Sequence, residues 1–341
     1  MLKSPRLTGM AVENYRSFVK QTDIELRPLT MFFGHNSAGK SALVRFLPFL
    51  ADSSKYAEAY PLNFQSEAMR GANFADIRCR LLSTPSFVFE LKWEGEVASA
   101  QYTIRDLAEY HRQIVDCLII RDRSGNELLR CEWVPQSQNG LVSREYRITG
   151  SEISSQDISF RGLLPEVING KVSKSTANLL GQLRERLDTL AHHTTWLQAL
   201  RSLPPRQETL NASVGRLRPD GSGITQMLAY DDLAGGPMLQ TVSEWYTKAT
   251  GTKLEIRWGV FAGKDMFSLV LSPNEGLPMQ VDIVDTGEGM GQVLPILGAL
   301  SFAMHDNECE KSIYAIEHPE LHLHPSAHPY LAWIIHEGWR A

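Results

Sequence analysis

The chain has 341 residues, 43% of them apolar and 21% charged, and carries a net charge of −5. That balance excludes a disordered tail, a fibrous repeat and a polycation that coats nucleic acid along its whole length, and it is enough for one large domain or two small ones. Four cysteines, Cys79, Cys117, Cys131 and Cys309, stand far apart without a CxxC pair, which argues against a disulfide framework or a cysteine zinc site and fits a reducing compartment.

In chain order, Lys3 and Arg6 run into Glu13, Asn14 and Tyr15 without the apolar core of a signal peptide, so a cytoplasmic location is expected. Short strands are expected over 7–12, 23–26 and 29–33. The last runs into Gly34 and is followed by a helix from Lys40 with Leu43, Val44 and Leu47 on one face, which Pro48 ends or kinks. Residues 77–148 alternate apolar and polar, as antiparallel strands do. Next comes a helix capped by Ser175, with Leu180, Leu183, Leu187 and Leu190 as a core-facing stripe, expected to run towards Leu200 before Pro204 and Pro205 end it. Within 171–218 eight bases (Lys171, Lys174, Arg184, Arg186, Arg201, Arg206, Arg216, Arg218) stand against three acids, so nucleic acid is one candidate partner if these charges share a face. The uncharged stretch 289–304 contains Gln292 and Pro295 and falls short of the roughly 20 apolar residues of a membrane span, so no membrane partner is expected.

Residues Gly34-His35-Asn36-Ser37-Ala38-Gly39-Lys40-Ser41 fit GxxxxGK[ST] without mismatch, between an apolar segment and an amphipathic helix. Glycines at both ends of such a loop let backbone N–H groups approach phosphate oxygens, and the helix adds its positive dipole end. Lys40 is the candidate partner of the β- and γ-phosphates and the Ser41 hydroxyl the candidate Mg2+ ligand. An apolar strand over 312–316 ends in Glu317, a second candidate Mg2+ ligand. Beyond it lies His318-Pro319-Glu320-Leu321-His322-Leu323-His324-Pro325, and upstream Gly287, Gly289 and Gly291 open an apolar helix.

Together with Asn14-Tyr15-Arg16-Ser17-Phe18, these stretches resemble ABC-type P-loop ATPases, and more narrowly their SMC/RecF/OLD-like branch, found in DNA repair and in bacterial antiphage operons. Residues 197–201, Pro204-Pro205-Arg206, Gly215 and 219–221 resemble the segment that precedes the signature region there. The resemblance implies an α/β fold, a P-loop NTPase head of ABC type, with an antiparallel β subdomain and a helical insertion. The expected division is 1–100 and 206–341 as the two parts of the head and 101–205 as the insertion. It implies ATP and Mg2+ as cofactors, with Gly34, Asn36, Ser37, Ala38, Gly39, Lys40 and Ser41 on phosphate and metal, Arg16 near the nucleotide, and Glu317 as the Walker B acid. It also implies two heads closing on ATP, so that Gly289, Gly291 and Gln292 reach the other copy's γ-phosphate. His324 takes the place of the D-loop acid, and Gln65 is the Q-loop candidate.

The sequence departs from that pattern in three places. His318 stands where a water-orienting glutamate is usual, so the catalytic base is His318, Glu320 or absent, and hydrolysis is expected to be slow. Gly291 replaces a serine. The family continues into a further strand with a switch histidine where this sequence stops at Ala341, so the expectation is a fragment or half of a split head whose sheet a C-terminal continuation or partner completes. A zinc cluster at His318, His322, His324 and His328 and a GTPase reading of the DxxG at 232–235 are the weaker alternatives. Two function classes stay open: an ATP-hydrolysing head tied to nucleic acid, and a nucleotide-gated scaffold that holds an effector protein.

Overall fold

The computed structural model describes residues 5–55, 60–135, 137–138, 141–142, 145–149, 158–167, 173–211, 217–275, 279–305 and 312–340. The chain divides into two compact units, Met1–Thr194 and Thr195–Ala341.

In the first unit, strands β1 (Leu7–Glu13) and β2 (Thr22–Glu25) precede helix α1 (Lys40–Lys55) and the short α2 (Phe74–Ile77), which a reciprocal Asn73/Asp76 capping box starts. Then come β3 (Ser86–Trp93), β4 (Ser99–Leu107), β5 (Arg112–Arg121), β6 (Glu127–Trp133), the two-residue pair β7 (Ser137–Gln138) and β8 (Leu141–Val142), and β9 (Tyr146–Thr149). A hairpin, β10 (Ile158–Arg161) and β11 (Leu164–Val167), leads to helix α3 (Lys174–His193). Seven strands form one antiparallel sheet in the order β2-β1-β3-β4-β5-β6-β9, so the sheet runs on across residue 100. Strand β3 shows why: Phe87, Phe89, Leu91 and Trp93 alternate inward, as the period of a half-buried strand requires. Phe46 of α1 packs edge-on against Phe89, which stacks on Tyr102 with ring centres 5.0 Å apart.

The structure corrects expectations at four points in this unit. No strand forms over 29–33: Leu29, Met31 and Phe33 are exposed, and no β-pairing involves them among the described residues. Apolar alternation marks a segment able to form a strand, but a strand also needs a neighbour for its N–H and C=O groups. Pro48 does not end helix α1, which continues to Lys55; the cost of about 3 kcal/mol is offset by burial of Phe46, Phe49 and Leu50, worth roughly 1.5–3 kcal/mol each. Helix α3 is capped by Ser173, which accepts from Thr176 N, rather than by Ser175. It also stops at His193, because the β-branched and aromatic run Thr194-Thr195-Trp196 joins a strand pair instead. Its leucine stripe is core: Leu183 and Leu187 are fully buried, and the helix packs on α1.

The second unit contains β12 (Thr194–Leu197), β13 (Glu208–Thr209), α4 (Ile224–Ala234), α5 (Met238–Thr250), the long hairpin β14 (Thr252–Phe261) and β15 (Lys264–Pro273), β16 (Val281–Asp282), α6 (Glu288–His305), β17 (Ile313–Ile316) and α7 (His328–Arg340). Strand β15 is flanked by β13 and β14 and also pairs with β16, while β12 pairs with β17. The uncharged stretch at 289–304 is a helix buried on nearly every side, with Leu294, Ile296 and Leu297 packed among Val242, Trp245, Tyr246 and Ile334. No helix among the described residues is long and apolar enough to cross a membrane.

Candidate functional site

The phosphate loop lies wholly in the first unit. Gly34 (φ +150°), Ser37 (φ +64°) and Gly39 (φ +93°) turn the backbone through the left-handed half of conformational space, and Gly34 to Ala38 are exposed. Only glycine suits position 39, because a Cβ there would meet Ser17 Oγ at 2.6 Å and the Phe18 ring at 2.8 Å. The fold thus seats the turn at 14–18 directly against the loop. That turn is a tight reversal closed by Tyr15 N to Phe18 O and Phe18 N to Tyr15 O, with Asn14 and Arg16 both left-handed. Asn14 anchors it by donating to Ser86 O and accepting from Cys79 N, and the Tyr15 ring is buried against Phe46. Burial pushes the Tyr15 phenol up, and the neighbouring Arg16 partly offsets this. Arg16 Nε is shielded from solvent with no hydrogen-bond partner among the described residues, so an anion beside the turn gains a waiting donor.

Lys40 Nζ donates to Gly34 O at 2.6 Å and His35 O at 2.7 Å, folding back over the loop that it would share with phosphate. Ser41 follows in the first turn of α1 and Gln65 is exposed. A triphosphate fits these residues: the loop is open, its backbone is already in left-handed conformations, and among the described residues its one lysine hydrogen-bonds only loop carbonyls.

The acid-bearing strand end lies in the second unit. Glu317 is 4% exposed, its N–H donates to Leu197 O at 2.9 Å, and Trp196 Nε1 donates to Glu317 Oε1 at 3.1 Å. A carboxylate has about four lone-pair sites and can hold an indole N–H and still ligate a metal. After it the chain turns sharply: His318 (φ +45°) and His322 (φ +65°) are left-handed, and His318 Nδ1 lies 3.3 Å from Glu320 Oε1 on the surface. His324 caps the turn that leads into α7, accepting from Ser326 N. Among the described residues no three His, Cys, Asp or Glu side chains are grouped to hold a metal. The DxxG stretch closes α4, with Gly235 as its left-handed cap and Asp232 accepting from Trp258 Nε1.

The glycines before Gln292, expected to face another copy's nucleotide, pack closely within the chain. Gly289 is buried with its Cα against the His322 carbonyl, Gly291 is buried against Leu203 and Pro204, and Gln292 accepts from Arg201 N. Close packing within the chain accounts for all three, and Gly287 and Glu288 are what the helix start exposes. Sequence reasoning also missed Trp196 as a partner of the acid and quoted Arg201 without a role. Arg201 is 4% exposed and donates to the carbonyls of Gln198, Gln292, Glu317 and His318.

Among the described residues, three of the bases in the 171–218 stretch are already engaged within the chain. Lys171 and Arg216 lie outside the described residues, Arg186 and Arg201 are buried on carbonyls, and Arg206 forms a paired contact with Asp285 at 2.6 and 2.5 Å. That pairing holds the Asp285 carboxyl below its ordinary range.

No protein-family model matches the chain, and no curated protein matches it in sequence. Among solved structures it is similar to the SMC head domain from Thermotoga maritima, at 12% identity over 98% of this chain and 86% of that one, with a TM-score of 0.44. It is similar to the Smc head domain bound to the C-terminal domain of ScpA derived from Pyrococcus furiosus, at 11% over 98% and 87%, with a TM-score of 0.43. It is also similar to the recombination mediator protein RecF with ATP, at 12% over 97% and 91%, with a TM-score of 0.38. SMC heads and RecF are the branch that the motifs resemble. At these identities and scores no residue role transfers, and the chemistry rests on the chain's own side chains.

Proposed function

We propose that this chain is an ATP-binding head that hydrolyses ATP and associates with a second copy when ATP is bound, in the service of nucleic-acid processing such as DNA repair or antiphage defence. The observation that carries the reading is the GHNSAGKS loop, held in left-handed turns at the start of α1 against the Arg16–Phe18 turn. In this reading Gly34, Asn36, Ser37, Ala38 and Gly39 offer backbone N–H groups to phosphate and Lys40 neutralises it; Ser41 is the candidate Mg2+ ligand of the loop and Glu317 the candidate metal-binding acid of the second unit, and Mg2+ would polarise the phosphoryl oxygens. A second copy would meet Gly287 and Glu288 at the helix start, since Gly289, Gly291 and Gln292 are packed inward.

The test is calorimetry with ATP and Mg2+. A unit charge pair at 4 Å with an effective dielectric near 20 is worth about 4 kcal/mol. Lys40 must first give up two loop carbonyls, so Lys40→Ala should weaken binding by about 30- to 150-fold, that is by about 2–3 kcal/mol. Equal affinity in mutant and parent overturns the loop assignment. A second reading, a nucleotide-gated scaffold with little turnover, is favoured by His318 beside Glu317, where its half-exposed ring lies against Glu320. Single-turnover hydrolysis with and without DNA separates the two.

A further inference from the structure

A buried guanidinium that satisfies only carbonyls is expensive, and burial pulls Arg201 down to about 10, which still leaves it charged at neutral pH. Its contacts show what the charge holds. Nε donates to Gln292 O at 2.8 Å, Nη1 to Gln198 O at 2.9 Å and Glu317 O at 3.1 Å, and Nη2 to His318 O at 3.1 Å. The Arg201 backbone N–H adds a bond to Gln292 Oε1 at 3.2 Å. One planar fork therefore joins the first turns of α6 to the end of β17, two segments separated by more than twenty residues of chain. A hydrophobic side chain could fill the space but could not supply donors to the carbonyls of Glu317 and His318. A lysine could not reach three segments at fixed angles.

We propose that Arg201 is a positioning residue that makes the α6 start and the Glu317–His318 strand end one rigid body, so that a contact sensed at Gly287–Glu288 reorients the metal-binding acid. The inference deepens the ATPase reading and rests on it for its consequence, while the coupling itself is measurable without nucleotide.

The experiment is amide hydrogen exchange on the full chain, combined with turnover. In the parent, amides over 289–292 and 315–318 should open together, following a single dependence on denaturant. In Arg201→Lys both segments should exchange at least tenfold faster, while amides of β14 and β15 change less than twofold. Trp196→Phe, which removes the indole N–H that donates to Glu317 and leaves Arg201 in place, should accelerate 315–318 and leave 289–292 unchanged. With ATP, Arg201→Lys should lower kcat at least tenfold and leave KM within threefold, which a loss of stability alone does not do below the melting temperature. Independent opening of the two segments in the parent overturns the proposal even if the lysine variant does not fold. So does acceleration of one segment only in Arg201→Lys, uniform acceleration across the unit, or unchanged kcat in a parent that hydrolyses ATP. A parent that binds no ATP in calorimetry refutes the ATPase reading, and the exchange data alone then decide the coupling.

Discussion

The packing of Gly289 makes the sharpest prediction about what the glycines before Gln292 are for. An added Cβ would sit 2.2 Å from His322 O and 3.0 Å from its carbonyl carbon. Ordinary contact needs roughly 3.5 Å, so in Gly289→Ala either α6 or the 318–325 turn must move by more than an ångström. Both walls are backbone and no rotamer change relieves the clash. Overpacking of this kind costs about 1–3 kcal/mol, and the better helix propensity of alanine returns less than 1 kcal/mol in a first turn. A net loss near 2 kcal/mol lowers the melting temperature by roughly 4–8 °C in a unit of this size. Gly181→Ala is the control: it lies within α3 with nothing within 4 Å of the new Cβ, and it should gain about 0.5–1 kcal/mol. Calorimetric melts of the two variants and the parent, read beside light scattering with ATP, make the comparison. A Gly289→Ala protein that melts with the parent yet no longer associates on ATP would refute the packing argument and return this glycine to the phosphate.

Phe46→Ala removes a fully buried ring that touches Tyr15 and Phe89; denaturant unfolding should show a loss of about 3–5 kcal/mol, and a loss below 1 kcal/mol would mean that α1 is not seated on the sheet. Burial pushes Cys117 up to about 11 and Cys131 up to about 12 from 9.0. The unfolded chain therefore loses these protons first, and stability should be flat near pH 8 and fall as pH rises from 9 towards 12, with Cys131 accounting for up to about 4 kcal/mol of the fall. Unfolding curves from pH 8 to 11 that do not move would contradict this. Trp196→Phe should raise the Mg2+ concentration for half-maximal turnover several-fold with little change in melting temperature; an unchanged metal dependence would separate the indole from the acid's function. Glu320→Gln should abolish turnover, by about 10²- to 10⁴-fold if Glu320 positions water, while His318→Gln remains mild; equal activity of Glu320→Gln and parent would assign the water to another group.

What the sequence determined alone is local. The GHNSAGKS pattern, the α3 leucine stripe and the alternation in β3 are each written within a few residues, where one period or one spacing decides the structure. The hairpin of β14 and β15 was equally local, with Ala262 and Gly263 at its turn, and could have been read from the same kind of pattern. Tertiary structure decided everything that depended on a distant partner. Residues 29–33 alternate like a strand and form none, since no described residue pairs with them. Residues 194–197 continue a helical pattern and become a strand because β17 is there to pair with. Gly289 and Gly291 read as flexible phosphate contacts, but the backbone of His322 and the side chains of Leu203 and Pro204 occupy the space beside them. Arg201 counted as one positive charge in a basic stretch until the fold surrounded it with four carbonyls. A residue's type and spacing set what its backbone and side chain are able to do, and only the atoms brought to within hydrogen-bond or van der Waals distance set which of those possibilities is realised.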